Sequence, residues 1–112
     1  MSHFSQLPEF EREFKKLSKK YRSLNQDLKN LEIVLQNYPT GIGKNFTITY
    51  FETSLKIVKV RLVCRSLRDR SMRIIYAYHD DTFKFMYIEI YFKGDKENED
   101  KQRVKDYLSK IK

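Results

Sequence analysis

Seven cations crowd one segment of the chain, Lys56-Ile-Val-Lys-Val-Arg-Leu-Val-Cys-Arg-Ser-Leu-Arg-Asp-Arg-Ser-Met-Arg73. They are Lys56, Lys59, Arg61, Arg65, Arg68, Arg70 and Arg73, set against the single anion Asp69. The segment therefore holds a net +6 of the formal +8 carried by all 112 residues. Ile57, Val58, Val60, Leu62 and Val63 interleave with the cations, so this is not a solvated charge run. Such alternation predicts a β-strand with one apolar and one cationic face. Cations held on a rigid platform suit a polyphosphate. Like charges so close repel each other, and a merely solvated strand would carry more anions. Lys59, Arg61, Arg68 and Arg70 are therefore read as RNA-binding.

Arginine and lysine can donate to the non-bridging oxygens of a phosphate and stabilise the charge that builds there during in-line attack. Arg73 and Lys93 fall on one polar parity of the strands that follow, and Arg65 enters that face from the preceding strand. Glu89 is the one carboxylate expected there. It is either a general base or the partner of a cross-strand ion pair that orients Arg73. Tyr91 can donate a proton or stack on a base, or be a plain sheet tyrosine. Arg73, Lys93, Glu89, Arg65 and Tyr91 are the candidate catalytic residues.

Other chemistries find little support. His3 and His79 are far apart and Cys64 is the lone cysteine, so a zinc site is not expected. Gly41 and Gly43 lack phosphate-loop spacing. Cys64 sits on the apolar parity and reads as an inert buried thiol. His79 reads as a solvated turn histidine. Phe46, Tyr50 and Phe51 fit a core or helix-contact role better than base stacking. No cofactor is implied.

These residues must be positioned by one domain over residues 1–112. Residues 8–21 predict an amphipathic helix: Pro8 and Glu9, Glu11 and Glu13 suit its start, and Phe10, Phe14, Leu17 and Tyr21 form its inner stripe. Its outer face carries Lys15, Lys16, Lys19 and Lys20, either solvated or in contact with RNA. A second helix is expected from Ser23 to about Gln36, capped by Ser23 with Gln26 in reciprocal position and striped by Leu24, Leu28, Leu31 and Leu35. The two would pair antiparallel. After the breaker 37–43 come a short strand or lead-in over 45–51, a strand over 55–65, and a hairpin of 72–79 with 83–93. Arg73 opposite Glu89 gives the best separation of faces, with Met72, Ile74, Tyr76 and Tyr78 sharing a face with Met86, Ile88, Ile90 and Phe92, and Arg73, His79, Tyr87, Glu89, Tyr91 and Lys93 on the other. A charged turn, 94–100, leads into a last helix over 99–111, amphipathic through Val104, Leu108 and Ile111. The expected fold is α+β: an antiparallel sheet of three or four strands, two N-terminal helices on its apolar face, a C-terminal helix, and an open polar face.

Met72-Arg-Ile-Ile-Tyr-Ala-Tyr78 and Ile88-Glu-Ile-Tyr-Phe-Lys-Gly-Asp-Lys-Glu-Asn-Glu-Asp100, with the element order, resemble the RelE/ParE superfamily of bacterial toxin–antitoxin toxins. The match is closest to its RelE- and HigB-like ribonuclease members. The resemblance implies a RelE-like fold and a toxin held inactive by a cognate antitoxin, through which the complex would bind operator DNA. It further implies metal-independent cleavage of mRNA, commonly in the ribosomal decoding site, by attack of the ribose 2′-hydroxyl on the adjacent phosphate. Arg73 matches the family's catalytic arginine, Lys93 the basic residue ending the last strand, and Lys59 and Arg61 its basic strand residues. The longer 65–72 segment departs from the pattern, as does the charged C-terminal helix, whose Tyr107 receives no role. Two alternatives stand beside this reading: a ParE-like toxin acting on DNA gyrase, and a basic nucleic-acid-binding module without toxicity. With one cysteine, no signal-peptide pattern and no apolar run of spanning length, a cytoplasmic protein away from membranes is expected.

Overall fold

Helical spacing of apolar residues builds the first layer. Pro8 opens α1 (Pro8–Lys20), with Glu9 and Glu11 in its first turn and Lys19 and Lys20 in its last, each complementing the helix dipole. After a short turn, α2 (Leu24–Asn37) buries Leu24, Leu31 and Leu35. The expected capping box does not form. Ser23 has helical dihedrals and makes no cap. Its hydroxyl donates instead to Asp27 Oδ2 at 2.8 Å, and Gln26 bonds Asn30. The computed structural model describes residues 3–66 and 71–111.

Five strands form one sheet: β1 (Phe4–Gln6), β2 (Phe46–Glu52), β3 (Leu55–Val63), β4 (Ser71–His79) and β5 (Lys84–Phe92). Their order is β1-β5-β4-β3-β2, antiparallel except for β1, which lies parallel to β5. The sequence reading missed β1, a strand too short to show a period. Where β1 stops, side chains take over the β5 edge: Glu13 accepts from Ile90 N, and Arg103 donates to the Ile88 carbonyl at 3.0 Å. An open strand edge is a template for unwanted pairing, and this ion pair covers it.

The β4–β5 register differs from expectation. Arg73 pairs with Tyr91, and Glu89 lies opposite Ile75. A bulge follows, shifting the register between Ile75 and Tyr76. Its extra residue reverses the facing of the rest of β5. Phe85 and Tyr87 therefore join Ile90 and Phe92 in the core under α1 and α2, together with Val58, Val60, Leu62, Cys64, Met72, Ile74 and Tyr76. Met86 and Ile88, expected in that core, face the other way.

That second face is not left open. Helix α3 (Lys101–Ile111) packs on it. Leu55, Ile57, Ile75, Ala77, Ile88 and Tyr107 form a second apolar cluster, with Val104 and Leu108 against it. The sheet is thus sandwiched, and the end carrying Lys59, Arg61, Arg73 and Tyr91 lies beyond the helix-covered apolar cluster. Among the described residues, no helix is long and apolar enough to cross a membrane.

Candidate functional site: a cationic end of the second sheet face

Strand parity gathers the site. Lys59 and Arg61 follow Ile57 on the second face of β3, and Ser71 and Arg73 precede Ile75 on the same face of β4. Arg61 pairs directly with Arg73 across the two strands. Like charges in that position repel. Ser71, itself buried, gives them their one shared contact: its hydroxyl accepts from Arg61 Nε at 3.1 Å and from Arg73. Among the described residues neither guanidinium meets a carboxylate. Burial, and then the charge of Arg61, lower the pKa of Arg73, although a guanidinium remains protonated.

Three of the other cations are compensated, contrary to the reading of an unpaired cluster. Lys56 pairs with Asp80 at 2.6 Å, Lys59 with Glu99 at 3.1 Å, and Arg65 with Asp27 at 3.4 Å. Each partner comes from a remote part of the sequence, so a count along one segment could not include it. Arg65 is anchored to α2, since its backbone N–H also donates to Asp27. It is held from the α1–α2 side of the sheet rather than beside Arg73. Arg68 and Arg70 lie outside the described residues.

Glu89 is not on an open face. It is fully buried, bonded to Lys96 and to the backbone N–H of Asp100 at 2.7 Å. The ion pair with Arg73 does not form, because the strands meet two residues away from the expected register. Glu89 instead ties down the 93–100 loop, which brings Glu99 to Lys59. Gly94 is needed there: a Cβ would lie 2.5 Å from the Phe92 ring. Lys93 is exposed at the start of this loop. Lys96, not singled out in the sequence, reaches inward, its Nζ 5.4 Å from the centre of the Tyr91 ring.

Tyr91 is buried beside the cluster. Its hydroxyl lies in the field of Lys59 and Arg73 yet makes no hydrogen bond of good geometry. For Lys59, burial works against the charged form, but the hydrogen bond to Glu99 and the neighbouring Tyr91 outweigh it and raise the pKa. For Glu99, burial is likewise outweighed, by its own backbone hydrogen bond and by Lys59, so its pKa is lowered. Both members of the pair remain charged.

The expected solvated histidine is half-buried: His79 Nε2 bonds the Tyr107 hydroxyl and docks α3. Burial lowers its pKa, with Asp80 opposing. Cys64 is fully buried, as its parity implied. Of the three aromatics weighed for stacking, Phe46 and Tyr50 pack partly buried against the two clusters, while Phe51 is exposed. Ser71, Lys96 and Glu99 were the residues missed. Only the parity of Ser71 with Arg73 offered a signal. Among the described residues no three His, Cys, Asp or Glu side chains gather as a metal site would require. The chain matches no family model, and no curated protein matches it either.

Chemically, the Arg61–Arg73 pair offers charged donors from two strands. An oxyanion placed between the guanidiniums would receive charged donors from both and relieve their repulsion.

Proposed function

We propose that the chain is a toxin of the toxin–antitoxin kind, an endoribonuclease that binds the mRNA backbone at the Arg61–Arg73 pair and cleaves it by 2′-hydroxyl attack. The observation that carries this reading is the facing of two arginines that, among the described residues, share a serine hydroxyl and meet no carboxylate, while Lys56, Lys59 and Arg65 are each paired with one. In the reaction the O2′–P bond forms and the P–O5′ bond breaks, leaving a 2′,3′-cyclic phosphate and a 5′-hydroxyl. The net proton passes from O2′ to O5′, and no water is consumed. Arg73 and Arg61 hold the non-bridging oxygens as their charge grows. Ser71 positions them. Lys59 contributes charge and no base, being paired and protonated.

One observation favours a second reading, a nucleic-acid-binding protein without cleavage. Glu89 and Glu99, the carboxylates that reach this end of the sheet, are each held by a lysine. Mapping mRNA 5′ ends in a translating extract separates the two. Discrete new ends bearing a 5′-hydroxyl support the ribonuclease. Intact mRNA with salt-dependent binding supports the second reading, and trapped gyrase–DNA complexes would redirect the search to a ParE-like target. The partner expected under the first reading is an antitoxin whose segment folds over the basic end. Co-expression with the adjacent reading frame should then relieve growth arrest.

A further inference from the structure

A cleft of about 410 Å³ opens between β2 and α3, at the low end of the size range of small-ligand sites. Tyr50, Val104 and Leu108 supply its apolar side, Thr49 and Glu99 its polar side, and Lys101 stands at its rim. The apolar residues pack on the second cluster of the sheet, so they are backed by a rigid floor. Glu99 is the shared wall: the carboxylate that lines the cleft also accepts from Lys59 Nζ. Lys59 and Arg61 stand two residues apart on one face of β3, about 7 Å by strand geometry. The Glu99–Lys59 ion pair therefore links the cleft to the strand that carries Arg61.

We infer that this cleft is a nucleobase subsite, taking a base with an exocyclic amino group from the RNA strand whose phosphate lies on Arg61 and Arg73. The inference rests on the phosphate-binding reading above and deepens it. An aromatic side chain beside aliphatic ones offers a stacking surface to any base. Selection comes from Glu99. An ionised carboxylate only accepts hydrogen bonds. Adenine, cytosine and guanine each present amino hydrogens to it. Uracil presents one N–H flanked by two carbonyl oxygens, which the carboxylate repels. Lys101 at the rim suits the next phosphate. A basic cluster alone would bind any polyanion. The cleft beside it gives a reason to prefer a single-stranded nucleic acid, whose unpaired bases can turn inward.

The test uses short RNA strands of abasic ribose carrying A, C, G or U at one position, with affinity read by fluorescence anisotropy. A, C or G should tighten binding by roughly 5- to 100-fold over the fully abasic strand, the range expected of one stacked base. Uracil should gain less. Tyr50→Leu should lose the gain from the base and keep the affinity for the abasic strand, while Tyr50→Phe should keep both. Leu108→Trp fills the cleft from α3 and should give the same loss, so the test survives if Tyr50→Leu misfolds. Glu99→Gln should narrow the gap between uracil and the other bases. Equal affinity for abasic and base-bearing strands would overturn the subsite and leave the phosphate reading standing. No salt-dependent binding of the abasic strand would overturn the phosphate reading itself, and this inference with it.

Discussion

Replacing Arg73 by alanine should separate function from stability, with the two moving in opposite directions. In the fold, the guanidinium faces Arg61 across β3–β4 and has only Ser71 for a partner among the described residues. Burial and the neighbouring charge both disfavour its cation, as the lowered pKa records. Removing a like-charge cross-strand pair gains about 0.2–1 kcal/mol, set against some lost packing of the side-chain stem. A domain of this size shifts its melting temperature by about 4–8 °C per kcal/mol, so Arg73→Ala should melt at the wild-type temperature or a few degrees above it. Catalysis should respond the other way. Losing one preorganised donor to a developing oxyanion costs about 10²–10³ in rate. Arg73→Lys restores a charge but no planar fork, and should recover only part of that rate. Single-turnover cleavage of a defined mRNA, with thermal melts of the same preparations, checks both halves. Full-rate cleavage by a folded Arg73→Ala protein would refute the catalytic assignment. A collapsed melt would show that the arginine builds the fold.

Three further expectations follow from the same geometry. Glu89→Gln leaves the Asp100 N–H an acceptor but discharges the partner of Lys96; it should lower thermal stability by about 1–3 kcal/mol, whereas a catalytic base would lose cleavage at temperatures where the variant is still folded. His79 has a folded-state pKa below its unfolded value of 6.5, so the unfolded chain binds the extra proton; stability should be highest above pH 6.5 and fall as the pH drops through the folded-state pKa, and melts of His79→Gln across pH 5–8 should lose that slope. Arg103 grips Glu13 with both terminal nitrogens, at 2.9 and 2.8 Å, so a double-mutant cycle of Glu13→Gln and Arg103→Met should give a coupling of about 0.5–3 kcal/mol, and additive effects would argue that the β5 edge does not depend on the pair.

The helices and their inward stripes were legible because helical periodicity is local: Phe10, Leu24, Leu31 and Leu35 went where their spacing placed them. The alternation of Val58, Val60, Leu62 and Cys64 likewise fixed one face of β3. Two things resisted. The bulge at Ile88 leaves no mark in composition, and a single unpaired residue turns Tyr87 from the predicted polar face into the core. The second was α3. Its apolar stripe was visible, but the surface it covers depends on Ile57, Ile75 and Ile88 sharing a face. That follows only once the true register is known.

The candidate site illustrates why charge counted along a sequence is a weak guide and charge left over after folding a stronger one. Lys56, Lys59 and Arg65 looked as available as Arg61 and Arg73 until Asp80, Glu99 and Asp27 reached them from elsewhere. A chain with acidic residues to place could have quieted the Arg61–Arg73 repulsion in the same way. Among the described residues a serine stands there instead, which accepts from both guanidiniums and neutralises neither. Stability alone gives no reason to hold two arginines side by side on a strand pair with no counter-ion among the described residues. On the proposed reading a visiting anion does: the repulsion that costs the empty protein would be relieved when a phosphate arrives, and most of all when that phosphate carries the extra charge of its transition state.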